Sequence, residues 1–218
     1  INDYNILSGG EAEAYADFIQ LHLAAGAGIS GIGLQGHFDG EADPFHVARA
    51  LNRLAELKKP IKITEFDCGS SNEATRIRCL ETVYRAAFAN PAVEGILMWG
   101  FWANAHWRPQ SALLHADFSE TALGKAYTKL VFNDWWTRAE GRTDVVGRYE
   151  CDAFYGAHNV VIRAPGCKSV YTNAILSRKE GAAILTIQLK PGQDEAPASE
   201  DDEPDPATDD DIDRPVGR

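Results

Sequence analysis

An α/β fold with a parallel sheet is predicted for this 218-residue chain by three observations. From Ile1 to Trp136, runs of strand length alternate four times with stretches of helical periodicity. The second, third and fourth runs are apolar throughout, as in strands covered on both faces. Polar and aromatic side chains fall at the C-terminal ends of the runs.

In chain order, the first unit is a strand over 1–7 and a helix over 11–25, and the second is 31–38 with 44–57. The third is 61–66 with 73–89, and the fourth 94–101 with 121–136. Four such units make either a small doubly wound sheet or half of a (β/α)8 barrel, and periodicity does not separate the two. The strand ends do. Asn2 and Tyr4, then Gln35 and His37, then Glu65 and Asp67, then Trp99 and the loop from Trp102 to Trp107 collect on one rim. A TIM barrel assembles its active site from such a rim.

After Trp136, Gly141-Arg142-Thr143-Asp144 reads as a turn. Short β-prone runs follow, Val160-Val161-Ile162, Val170-Tyr171 and 184–189, separated by Gly, Pro and Lys/Glu turns. These predict a small antiparallel β annex. The domains are then 1–137 for the barrel half, 138–192 for the annex and 193–218 for a tail.

The formal net charge of −11 is concentrated in that tail, where Glu200-Asp201-Asp202-Glu203 and Asp209-Asp210-Asp211 alternate with Pro and Ala. Such a run cannot collapse around a core and predicts a disordered tail or a linker. A calcium loop is the lesser alternative, because regular ligand spacing around a turn glycine is missing. Without the tail the body is close to neutral and keeps no basic stripe, which argues against nucleic acid as a partner. Apolar runs fall far short of the roughly 20 residues of a membrane-spanning helix. The opening Ile1-Asn2-Asp3-Tyr4 reads as the inside of a strand, so a longer protein is expected upstream.

Four cysteines, Cys68, Cys79, Cys151 and Cys167, lack C-x-x-C or mixed Cys/His spacing, so neither a zinc nor a redox motif is indicated. Their even number permits disulfides, with Cys151 and Cys167 the most plausible local pair. Cys68 and Cys79 read equally well as a loop residue and a buried helix residue.

Ile63-Thr64-Glu65-Phe66-Asp67 places Glu65 near the end of a buried strand, where a carboxylate must be paired, hydrogen-bonded or catalytic. It is either a structural Glu or a nucleophile able to attack an anomeric carbon beside a second carboxyl group. His37, on the adjacent strand, is either a satisfied histidine under a loop or the group that orients Glu65. Gln35 and Asn2 offer amides, and Tyr4 a phenol and a ring face, to sugar hydroxyls or to neighbouring loops. Trp99, Trp102 and Trp107 cluster with Asn104, His106 and Arg108, a neighbourhood too polar for a plain core. Indoles there suit the apolar faces of pyranose rings.

Taken together, Asn2-Asp3-Tyr4-Asn5, Gly33-Leu34-Gln35-Gly36-His37-Phe38, Ile63-Thr64-Glu65-Phe66-Asp67 and Met98-Trp99-Gly100 with Trp107-Arg108 resemble, in order, the fifth to eighth strands of glycoside hydrolase family ten. The region after Trp135-Trp136-Thr137 resembles the C-terminal extension of some plant-like and bacterial members. The resemblance implies the C-terminal half of a TIM barrel and a retaining endo-1,4-β-xylanase acting on xylan or xylo-oligosaccharide. It implies Glu65 as nucleophile, His37 hydrogen-bonded to it and Asp67 in the same network. Asn2, Tyr4, Gln35, Trp99, Trp107 and Arg108 are the implied substrate contacts. No metal or organic cofactor is required, and members of this kind are usually secreted, which suits a pair of disulfides.

The family's acid/base Glu belongs to an Asn-Glu motif after the fourth strand, upstream of Ile1. These residues alone are therefore expected to be inactive and to need the N-terminal half of the barrel. The competing reading is a carbohydrate-binding descendant that has lost catalysis. A doubly wound nucleotide-binding protein is disfavoured, because no strand leads into a Gly-rich phosphate loop.

Overall fold

The computed structural model describes residues 1–192, so the predicted acidic tail lies outside the described residues. The chain divides into two compact units, Ile1–Trp136 and the residues from Thr137 onward.

The first unit is a parallel sheet in the order β1-β2-β3-β4, connected by helices. β1 (Asn2–Asp3) pairs with β2 (Ile32–Phe38), β2 with β3 (Ile61–Cys68), and β3 with β4 (Val93–Met98). Helix α1 (Ala12–Ala24) follows β1, α2 (Pro44–Ala55) follows β2, and α3 (Glu73–Ala89) follows β3. α4 (Ala122–Thr128) comes after the long loop that leaves β4.

Local chemistry sets the helix starts. Asp43 caps α2 by accepting from the backbone N–H groups of Phe45 and His46, and Pro44 occupies the first turn, where no N–H is missed. Asn72 caps α3 through Thr75 N–H, and Thr121 caps α4 through Gly124 N–H. The helices bury Ala16 and Ile19, then Val47, Leu51 and Leu54, then Leu80 and Val83, against Leu34, Ile61, Ile63 and Phe66 of the strands. That apolar layer is the core.

Three expectations are corrected in this unit. The first strand is far shorter than 1–7: Asn5 turns the chain at φ 59°, and its carbonyl accepts from Gly9 N–H at 3.1 Å. Ile6 and Leu7 are buried, but from a turn, so their apolar character reports the core and not a strand. The last helix does not run as α-helix to Trp136, because Lys129–Asp134 is a π-helical turn. Trp135 N–H bonds to Leu130 O at 3.1 Å, and Lys129 Nζ pairs with Asp134 at 2.7 Å, both at the five-residue spacing of a π-turn. Nor is β4 covered on both faces: it is an edge strand, with Glu94 and Leu97 exposed.

A β-bulge shapes the centre of the sheet. The register runs Leu34↔Ile63 and then Gln35↔Glu65, so Thr64 is the extra residue. Each extra residue exchanges the faces to which later side chains point. Ile61, Ile63, Phe66 and Cys68 therefore all reach the core, while Thr64, Glu65 and Asp67 share the opposite face.

The second unit contains an antiparallel hairpin of β5 (Gly156–Ile162) and β6 (Val170–Leu176). The predicted strand over 184–189 does not form, and Ile184 is almost wholly exposed. Just beyond it, Lys168 N–H bonds to Lys190 O at 3.0 Å and Cys167 bridges to Pro191. The tight turn lies at 144–147, later than Gly141, closed by Gly147 N–H to Asp144 O at 3.0 Å.

All four cysteines are free thiols, which corrects the expected Cys151–Cys167 pair. No described helix is long and apolar enough to cross a membrane.

Candidate active site

The bulge brings the polar ends of β2 and β3 together. His37 lies opposite Asp67 and Gln35 opposite Glu65 in the register. His37 Nε2 meets Glu65 Oε2 at 2.9 Å in a hydrogen bond. On the other edge of the ring, Nδ1 stands 3.2 Å from Asp67 Oδ1, within ion-pair range but not aligned as a hydrogen bond. One imidazole thus sits between two carboxylates.

The two carboxylates have different surroundings. Asp67 is fully buried and accepts from Trp107 Nε1–H on one oxygen and from Arg108 Nη1 at 3.2 Å on the other. Arg108 is itself pinned by Phe38 O at 2.9 Å and Asp39 at 3.0 Å, with its guanidinium 4.5 Å from the centre of the Trp107 ring. This cage compensates a buried charge and leaves Asp67 little freedom. Glu65 keeps 14% of its side chain exposed, with His37 as its hydrogen-bond partner. It is the carboxylate able to meet an incoming atom.

The ring of His37 is fixed by edge contacts with Trp99 (centroids 6.0 Å apart) and Trp107 (5.2 Å). Both indoles are about half exposed. Trp99 is anchored through its backbone, whose N–H bonds to Phe66 O at 3.0 Å. Beneath the loop, His106 is buried and its Nδ1 accepts from Arg108 N–H at 2.9 Å. Burial lowers its pKa from the ordinary histidine value, with Asp67 opposing that shift and Arg108 and His37 adding to it. The neutral ring that results suits an Nδ1 acceptor.

Among the predicted site residues, the structure brings Glu65, His37, Asp67, Trp99, Trp107 and Arg108 into one contiguous network. Gln35 joins through strand register, and Asn2 through a 2.9 Å bond from Thr64 Oγ1 across the face that carries Glu65. Tyr4 does not join. It is mostly exposed and lines a separate cleft of about 370 Å³ with Asp3, Glu11, Tyr15 and Phe18, which contains neither Glu65 nor His37.

Three contributors were not singled out from sequence. Thr64 holds Asn2, Asp39 anchors Arg108, and Gly69 leaves the space that Arg108 fills, since a β-carbon there would stand 2.7 Å from Nη1. Asp39 directly follows Gly36-His37-Phe38 and could have been suspected; the other two depend on the bulge and on a loop packing back from about 40 residues away.

The family model for "Glycosyl hydrolase family 10" matches residues 1–141. The chain is 35% identical over 187 residues to the anti-sigma-I factor RsgI6 of Acetivibrio thermocellus, covering 85% of this chain and 24% of that protein. To endo-1,4-beta-xylanase 1 of Arabidopsis thaliana it is 33% identical over 194 residues, 87% of this chain and 20% of the other. The crystal structure of xylanase 10B from Thermotoga petrophila in complex with xylobiose superposes with a TM-score of 0.56 at 24% identity, over 61% of this chain and 46% of that one, a likeness of fold. The chain therefore spans a quarter or less of these two relatives and under half of the solved barrel. With the family model covering well over half of its residues, the chain belongs to glycoside hydrolase family 10.

Proposed function

We propose that the chain carries the nucleophile half of a retaining endo-1,4-β-xylanase, with Glu65 attacking the anomeric carbon of a xylose unit in xylan or a xylo-oligosaccharide. The observation that carries this reading is the contrast between fully buried, caged Asp67 and partly accessible Glu65 on a single imidazole. His37 positions the Glu65 carboxylate, and Asp67 with Arg108 positions His37. Trp99 and Trp107 present indole faces to the sugar, and Asn2, Gln35 and Arg108 present hydrogen-bonding groups beside them. Tyr4 serves a neighbouring sugar unit from its own cleft.

Retaining hydrolysis needs a second carboxyl about 5 Å from the nucleophile, first as acid and then as base. Asp67 is unsuited, because its charge is held by Trp107 and Arg108. We assign the acid/base to residues of the longer protein outside these 218, and read β1 to β4 as barrel strands five to eight with the β5–β6 hairpin unit as an annex. Secretion belongs to the same reading.

The test is Glu65→Gln in that longer protein, assayed with an aryl xyloside whose good leaving group bypasses the acid but still needs the nucleophile. The expected loss of kcat is at least about a thousandfold. Substantial residual turnover would remove Glu65 from the role.

A second reading, a carbohydrate-binding protein without turnover, is favoured by one observation: a relative at 35% identity is named as an anti-sigma factor and not as a hydrolase. Retention of the longer protein on insoluble xylan, with no reducing sugar released, would select it.

A further inference from the structure

The loop that leaves β4 carries a second aromatic surface besides Trp99 and Trp107. Trp102 and Phe118 stack face to face, with centroids 4.9 Å apart and 6° between their planes. The pair is held by backbone. Trp102 bridges Leu114, Leu114 bridges Glu120, and Trp102 Nε1–H donates to Ala116 O at 3.1 Å. Between them, His115 N–H bonds to Ser119 O at 2.8 Å and Phe118 N–H to His115 O at 3.0 Å, closing a tight turn.

Phe118 occupies that turn at φ 65°, in the left-handed region that glycine and asparagine fill easily and a bulky side chain fills at a cost. Core packing does not offset the cost, because Phe118 is 61% exposed. A strained aromatic left mostly exposed calls for a role outside the fold. One face of its ring lies on Trp102 and the other is open, so the ring is already oriented and loses little freedom when a flat apolar partner arrives.

We propose that the Trp102–Phe118 stack is a sugar-stacking platform, which takes the C–H face of a pyranose unit from the same chain that lies along Trp99 and Trp107. The inference rests on the xylan reading above and deepens it by adding a position for longer chains. The occupant is a neutral saccharide because the ring surface offers dispersion and C–H contacts and continues, within one loop, from the half-exposed indoles that flank His37.

The test is calorimetric titration of the longer protein, carrying Glu65→Gln to block turnover, with xylohexaose and with xylobiose, with the stack unaltered and as Phe118→Gly and Trp102→Ala. Phe118→Gly is the informative variant, because glycine suits the left-handed backbone and its thermal midpoint should be no lower than that of the parent chain. Both variants are expected to bind xylohexaose roughly two- to tenfold more weakly, with xylobiose affinity unchanged. Equal xylohexaose affinity in Phe118→Gly, with the unaltered stack binding, would overturn the platform and leave the xylan reading standing. A dimer of the protein with the stack unaltered that Phe118→Gly dissolves, without change in sugar affinity, would also overturn it by making the stack a self-association surface. Failure of the longer protein with the stack unaltered to bind either sugar would overturn both readings.

Discussion

At the residue scale, the site is organised around one buried negative charge. Asp67 is stabilised by Arg108, and removing the guanidinium leaves the carboxylate buried without its compensating cation. Arg108→Leu is therefore expected to destabilise the first unit by about 3–5 kcal/mol. All five tryptophans lie in that unit, so their fluorescence during urea unfolding reads the loss directly. A shift below about 1 kcal/mol would mean that Asp67 finds other compensation.

His106 gives the pH counterpart. Its pKa is lowered in the fold by burial, so below the ordinary histidine value of about 6.5 the unfolded chain binds a proton that the folded chain resists. The stability it contributes is fully present above about pH 6.5 and is lost as pH falls through its lowered folded value. Thermal midpoints measured between pH 7.5 and 4.5 should fall more steeply for the unaltered chain than for His106→Gln; parallel curves would contradict the assignment. Glu65, His37, Asp67 and the loop tryptophans were legible in the sequence because each is a chemically distinctive group at a strand end. Thr64 and Gly69 were not, since their importance comes from what packs against them.

At the element scale, the four strand–helix alternations could be read directly, because helices such as α2 carry both an apolar stripe and a terminal cap. Asp43→Ala removes the acceptor for two backbone N–H groups and should cost about 1 kcal/mol, measured as a lower urea midpoint with unchanged slope. What misled was hydrophobicity that belonged to something other than a regular element. Ile6 and Leu7 enter the core from a turn, and Ile184 with its neighbours looks β-prone yet pairs with nothing regular. The bulge is written in the sequence as a change of parity: apolar residues stand at 61 and 63, then at 66 and 68. Without the pairing of β2 with β3, that change reads as noise; with it, Glu65 and Asp67 come to one face beside His37. The π-turn was hidden for a similar reason, since its five-residue bonds leave no clear period over six residues.

At the scale of the molecule, family membership and parallel order agree with the sequence reading, while the proposed xylanase function calls for a geometry larger than these residues. The sheet ends in two edges, a two-residue β1 and the partly exposed β4, where a closed barrel would have none. Joining those edges to four further strands is what the proposed xylanase requires, and it would also bring the acid/base to Glu65. Covalent trapping reads the chemical role of Glu65 directly. A 2-deoxy-2-fluoro xyloside with an activated leaving group slows breakdown of a glycosyl-enzyme more than its formation, so the intermediate accumulates and its peptide can be identified by mass spectrometry. Incubation of the longer protein is expected to add one sugar to the peptide containing Glu65, and Glu65→Gln is expected to remain unlabelled. A label on any other carboxylate, or hydrolysis of xylan with no trapped intermediate and inversion at the anomeric carbon, would contradict it.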